Sequence, residues 1–350
     1  METIIKRVDI NNIDNNIIKQ AGNILKEGGL VAFPTETVYG IGANSLDVNA
    51  INKIYEAKGR PSDNPLIVHV SSKQDVQKYA KKINYTAEKL MDEFWPGPLT
   101  LIFEKRDIIP DNITGGLNTV AIRMPSHTIA RSIIKEADLP IAAPSANISG
   151  RPSPTMAEHV INDLNGKVDM IIDGGYCEIG LESTVLDVTD TIPTILRPGG
   201  ITKEMLEQVV GKVFVDPAIK KSNKNLIPKS PGMKYRHYAP NANLFVFSGA
   251  SNKVIVHINE LIKTEQEKGN KVGVIATKQT KEMYYCDDVI VIGDENKPDE
   301  IASNLFRVLR EFDNKKVESI YCEAFSNKDI GSATMNRLLK AAGNKIINID

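Results

Sequence analysis

The chain has 350 residues, 41% of them hydrophobic and 25% charged, with a formal net charge of −1. That length suits two domains better than a single core. The near-zero charge excludes nucleic-acid or membrane binding by global electrostatics, and leaves room only for a weak RNA contact through a local basic cleft.

The opening segment METIIKRVDINN lacks the apolar core of a signal peptide, and no apolar run approaches the ~20 residues needed to span a bilayer. A cytoplasmic location without membrane contact is the expectation. Cys177, Cys286 and Cys322 are far apart and form no CxxC pair, which argues against a disulfide framework and against a zinc site of the usual spacing.

Along the first 200 residues, seven short segments predict strands: 29–33, 66–70, 98–103, 119–124, 140–143, 169–172 and 184–188. Each is rich in β-branched residues and bounded by Gly, Pro or Asn. Residues 47–58, 84–94 and 126–136 carry helical periodicity. In the first of these, Asp47 suits the N-cap, and Ile51, Ile54 and Tyr55 share one face. Several strand pairs have no helix between them, so a mixed sheet is expected. Residues 210–243 carry four prolines and no clear period, and read as a long linker. Beyond it, strands at 244–247, 271–276, 288–292 and 317–321 alternate with helices near 252–268, 299–312 and 332–342. That pattern predicts a smaller, Rossmann-like α/β domain with a parallel sheet. It contains neither GxGxxG nor a P-loop lysine motif.

Polar residues cluster in five segments of the first domain. Pro34–Gly42 (PTETVYGIG) offers the hydroxyls of Thr35 and Thr37 beside two glycines. Lys58–Leu66 (KGRPSDNPL) places Lys58 and Arg60 at a helix end before a stiff loop, a combination suited to phosphate. It leads into a strand that carries His69. Arg123 interrupts a buried-looking strand, where a charge is costly unless a protein or ligand carboxylate meets it. Ala143–Ser153 (APSANISGRPS) is dense in hydroxyls and amides. Glu182-Ser183-Thr184 and Arg197-Pro198-Gly199 complete the set. No Walker lysine loop, HExxH or spaced Cys–His or Ser–His pair is present, so the chemistry points to positioning and charge stabilisation rather than a covalent catalyst.

Together these segments resemble the YrdC-like family, and within it the longer, two-domain threonylcarbamoyl-AMP synthases. Lys58, Arg60, Ser145 and Asn147 match the family's Lys-x-Arg … Ser-x-Asn signature. FWPGPLT, RMP, LESTV, LRPG and the linker motif SPGMKYRHYAP look like further family blocks. The resemblance implies a twisted mixed-sheet catalytic domain over 1–209, a linker or lid over 210–243, and a second α/β domain over 244–350. It implies an enzyme, a nucleotidyltransferase converting L-threonine, bicarbonate and ATP with Mg²⁺ into threonylcarbamoyl-AMP and pyrophosphate. The product would pass to a downstream tRNA threonylcarbamoyl transferase complex. Carried over residue by residue, Thr37, His69, Arg123 and Ser183 look like the threonine site, lined by Ala143, with Arg123 on the amino-acid carboxylate. Lys58, Arg60, Asn64, Thr119, Ser145, Asn147, Ser153 and Arg197 look like ATP contacts, Lys58 and Arg60 being the catalytic pair. Tyr238 would reach the nucleotide from the linker, ahead of Tyr235. A double-stranded RNA-binding or regulatory module is the alternative.

Overall fold

The computed structural model describes residues 1–219 and 237–350, and the chain divides into two compact units. Unit one comprises 1–149 and 153–235; unit two comprises 150–152 and 236–350.

Unit one opens with β1 (Ile4–Arg7), α1 (Asn15–Lys26), β2 (Val31–Phe33), β3 (Gly40–Asn44) and α2 (Val48–Lys58). It continues with β4 (Ile67–His69), α3 (Val76–Tyr79), α4 (Tyr85–Phe94), β5 (Leu99–Glu104), α5 (Asp111–Thr114) and β6 (Thr119–Arg123). Then follow α6 (Thr128–Ala137), β7 (Ile141–Ala142), α7 (Ala157–Leu164), β8 (Met170–Asp173), β9 (Thr184–Asp187), β10 (Thr194–Arg197), α8 (Lys203–Val210) and β11 (Phe214–Val215). The sheet is mixed, as expected, and runs β1-β8-β2-β3-β7-β4-β6-β5-β9-β10-β11. At its centre β4 pairs parallel to β6 and antiparallel to β7, while β5 pairs antiparallel to β6 and parallel to β9.

Helices cover both faces. On one, α1 and α6 set Ile18, Leu25, Ile129 and Ile133 against Val31, Phe33, Ile141 and Ile172. On the other, α2 and α4 set Ile51, Ile54 and Leu90 against Ile41, Val68, Leu101 and Ile122. Each such side chain stabilises the fold by about 1.5–3 kcal/mol through burial. Asp47 caps α2 as read from the sequence: its carboxylate accepts from the N–H groups of Asn49 (2.8 Å) and Ala50 (3.3 Å). At the other end Gly59, at φ 58°, turns the chain through the left-handed region and releases Arg60 from the helix.

Residues 34–39 connect β2 to β3, and Gly40, Ile41 and Gly42 open β3, which pairs with β2 and β7. The stretch from 210 is not linker throughout: Phe214 and Val215 pair with Thr194 and Ile195 at the sheet edge. Residues 220–236, with most of SPGMKYRHYAP and Tyr235, lie outside the described residues.

Unit two contains β12 (Asn243–Gly249), α9 (Ser251–Glu267), β13 (Val272–Thr277), β14 (Asp288–Gly293), α10 (Pro298–Lys315), β15 (Ser319–Glu323), α11 (Ile330–Ala341) and β16 (Ile346–Ile349). Its sheet is wholly parallel in the order β14-β13-β15-β12-β16. Among the described residues, no helix is long and apolar enough to cross a membrane.

Candidate active site

The polar residues of unit one converge because strand register stacks them. Parallel pairing of β4 with β6 sets His69 opposite Arg123, and antiparallel pairing of β5 with β6 sets Thr100 opposite the same arginine. Arg123 is 4% exposed and donates to Thr37 Oγ1 (2.9 Å) and to the Gly97 carbonyl (3.2 Å). Its second terminal nitrogen lies 2.7 Å from the Glu36 carboxylate. Thr37 in turn shares a 2.8 Å hydrogen bond with Thr35. Just before β9, the Ser183 hydroxyl lies 2.8 Å from that of Thr100 and accepts from Arg197 at 3.1 Å; Arg197 also donates to the Ser183 carbonyl. The buried set thus runs from Glu36 and Thr37 through Arg123 and Thr100 to Ser183 and Arg197.

This environment controls protonation. Burial, reinforced by the positive charge of Arg123, pushes the His69 imidazole down to about 3, so it is neutral near pH 7. Burial alone would raise the Glu36 carboxyl, yet the charge and hydrogen bond of Arg123 outweigh it and hold Glu36 below the usual carboxylate range. Cys177 is buried nearby and held as a thiol, its pKa pushed up mainly by burial. Neither His69 nor Glu36 has the near-neutral pKa of an efficient general base.

A second set forms around the C-terminus of α2. The Lys58 side chain is 2% exposed and its Nζ donates to the carbonyls of Ser145 and Asn147, the latter at 2.7 Å. The Ser149 N–H returns a bond to the Lys58 carbonyl (2.8 Å). Arg60 grips the loop that follows it through the carbonyls of Asn64 (3.1 Å) and Pro65 (3.2 Å). The Asn64 amide is 1% exposed, and neither of its polar atoms has a hydrogen-bond partner among the described residues. A buried amide left so costs about 1–3 kcal/mol, which a ligand can recover.

The loops interlock. Gly40 bridges Ser145, the Tyr39 carbonyl accepts from the Ala146 N–H (2.8 Å), and the Tyr39 N–H donates to the Pro154 carbonyl (2.9 Å). Ser153 donates to Glu182 at 2.6 Å, one residue before Ser183. Gly199 closes the far side: a Cβ there would stand 2.3 Å from the Thr184 nitrogen and 2.7 Å from the Glu182 carbonyl oxygen, so only glycine permits that approach.

A family model described as telomere recombination, covering Sua5, YciO and YrdC, matches residues 23–199, and one described as the threonylcarbamoyl-AMP synthase C-terminal domain matches 201–343. The threonylcarbamoyl-AMP synthase of Pyrococcus abyssi is 51% identical over 95% of this chain and 96% of its own length; that of Bacillus subtilis is 50% identical over 94% of each. The crystal structure of P. abyssi Sua5 complexed with L-threonine superposes with a TM-score of 0.94, at 50% identity, covering 99% of this chain and all of that one. The chain belongs to the threonylcarbamoyl-AMP synthase family.

Within the family frame, the structure brings Thr37, His69, Arg123 and Ser183 together. Ala143 joins them because its N–H donates to the Ile67 carbonyl (3.1 Å), the same oxygen that lies 3.2 Å from His69 Nδ1. Lys58, Arg60, Asn64, Ser145 and Asn147 form the second set. Thr119 lies at the opposite end of β6 from Arg123, paired with Glu104 of β5. Ser153 and Arg197 attach through Glu182 and Ser183. Tyr238 is grouped instead with unit two, its ring 5.1 Å from that of Phe306. Two polar residues of the site were not singled out from the sequence: Glu36 and Thr100. The buried charge of Arg123 did call for a carboxylate, and Glu36 is the protein carboxylate that answers it here.

Proposed function

We infer that this chain condenses L-threonine, bicarbonate and ATP into threonylcarbamoyl-AMP, releasing pyrophosphate, and that the product serves threonylcarbamoyladenosine formation next to the tRNA anticodon. The observation that carries this reading is the buried Thr37–Arg123–Ser183 constellation, in a chain half identical along nearly its whole length to relatives named as these synthases. A guanidinium flanked by two hydroxyls suits the carboxylate and hydroxyl of a small hydroxy amino acid. The names of the relatives do not favour the RNA-binding alternative.

In this reading threonine meets Thr37, His69, Arg123, Ala143 and Ser183. Arg123 moves its charge from Glu36 to the substrate carboxylate, and His69 contributes hydrogen bonding without charge. The threonine nitrogen attacks the carbon of CO2 derived from bicarbonate and loses a proton, giving a carbamate. A carbamate oxygen then attacks the α-phosphorus of ATP in line, and the bond to the β-phosphate bridging oxygen breaks, expelling pyrophosphate. ATP enters as its Mg²⁺ complex. Lys58, Arg60, Asn64, Thr119, Ser145, Asn147, Ser153 and Arg197 hold it, with Lys58 and Arg60 offsetting the repulsion among carbamate, carboxylate and triphosphate. Tyr238 belongs to the same proposal as a nucleotide contact. The mixed anhydride reacts readily with water, so a cytoplasmic transferase acting on tRNA is the class of partner that consumes it.

Pyrophosphate release from ATP by the purified protein tests the reading. Release is expected only when both threonine and bicarbonate are present. Release indifferent to threonine contradicts it.

A further inference from the structure

The parallel sheet of unit two carries a crevice that the synthase reading does not use. In the order β14-β13-β15-β12-β16, the chain leaves β12 toward β13 through α9, whereas it leaves the adjacent β15 toward β16 through α11. Two neighbouring strands thus send their connections in opposite directions, and open parallel sheets hold ligands outside the carboxyl ends of such strands. A cavity of about 380 Å³ opens there, lined by Phe247–Gly249 from the end of β12 and Glu323–Asn327 after β15. That size falls among small-molecule sites of roughly 300–1,000 Å³.

The lining specifies the ligand. Phe247, Val254, Ile301 and Met335 give it apolar walls. Glu323, the last residue of β15, accepts from Ser251 Oγ (2.9 Å) and from the Tyr284 hydroxyl (2.6 Å). Ser251 is the first residue of α9, so this carboxylate is fixed at the helix end where a phosphate would sit in a nucleotide site of this topology. Glu295 adds a second carboxylate, and among the described residues none of those lining the cavity is Lys, Arg or His. A phosphate would meet two like charges without a side-chain cation. A ligand presenting hydroxyl donors meets carboxylate oxygens that each retain accepting capacity.

We propose that this crevice is a second binding site, for an uncharged ribonucleoside whose ribose diol donates to Glu323 and whose base lies against Phe247, Ile301 and Met335. The site is independent of the nucleotide contacts inferred in unit one.

The full chain, labelled with ¹³C at the methionine methyl groups, supplies the test. The Met335 resonance, assigned by its loss in Met335→Leu, reports on this cavity whether or not the probe also binds in unit one. Adenosine is expected to shift that resonance saturably, with AMP and 2′,3′-dideoxyadenosine each binding here roughly tenfold more weakly or worse. Glu323→Gln, which keeps an acceptor for one of Ser251 and Tyr284 and offers an amide N–H to the hydroxyl of the other, should weaken adenosine by a similar factor. No saturable Met335 shift up to about 10 mM adenosine, AMP binding as well as adenosine, or indifference to removal of the diol would overturn the proposal.

Discussion

Replacing Arg123 with methionine isolates the buried ion pair. The side chains of Arg123 and Glu36 are 4% and 6% exposed, with their charged atoms 2.7 Å apart. Methionine fills part of the space and leaves the Glu36 carboxylate buried without its cation. Removing one member of such a pair costs about 3–5 kcal/mol, and loss of the Thr37 and Gly97 contacts acts in the same direction. The penalty depends on pH. In the wild type, Arg123 outweighs burial and keeps Glu36 below the usual range, so its stabilisation is present above the unfolded carboxyl pKa and lost as pH falls. In the variant, burial, the largest influence, is opposed only by backbone hydrogen bonds at Glu36 and Ser126 and raises Glu36 above its unfolded value. The destabilisation is then present near neutrality and relieved as the carboxyl protonates. The stability gap should therefore narrow from about 3–5 kcal/mol near pH 7 to a small remainder near pH 4. Trp95, the sole tryptophan and buried in unit one, reports the transition of that unit by fluorescence. Glu36→Gln combined with Arg123→Met should recover most of the stability, because both charges are gone, without recovering threonine-dependent turnover. A gap that does not change with pH, or a double variant no more stable than the single one, would refute this reasoning.

Three further outcomes are expected. The depressed pKa of His69, about 3, makes its neutral burial stabilising above the unfolded histidine value; that contribution is lost as pH falls from about 6.5 toward 3, at ~1.4 kcal/mol per pH unit. His69→Asn should flatten the acid limb of a stability–pH curve, leaving the smaller contribution of His127, whose pKa burial also lowers; an unchanged slope would count against the assignment. Lys58→Met should free the Ser145 and Asn147 carbonyls and reduce kcat/KM for ATP by at least about a hundredfold, and Lys58→Arg should not rescue it, because a planar fork does not fit the two carbonyls. Gly199→Ala should cost about 1–3 kcal/mol through collision with the Thr184 backbone and raise KM for threonine by displacing Ser183; an unaltered KM would separate Gly199 from the site.

Much of the molecule was legible in the sequence where the signal is local. The Asp47 cap, the apolar face of α2 and the alternating strands and helices of unit two each follow from residues within a few positions of one another. The family blocks likewise marked the loops that carry Lys58, Ser145 and Ser183. What stayed hidden depends on register or distant pairing. Thr100 sits inside LTLIFE and reads as an ordinary strand residue until β5 is aligned with β6 and faces it to Arg123. Glu36 is one acidic residue among two threonines, and its role depends on an arginine 87 positions away. β3 begins Gly-Ile-Gly, with too few β-branched residues to announce a strand, and β11 is only two residues, Phe214 and Val215, strand-favouring but too short a run to be read before β10 pairs with it.

The central claim is tested most directly by supplying ¹³C-bicarbonate with ATP and L-threonine and weighing the AMP-linked product. The account predicts an adduct containing threonine and AMP that is heavier by the single labelled carbon, abolished by Arg123→Met. An adenylate of threonine without the label would contradict it, as would AMP formation that proceeds equally well without threonine.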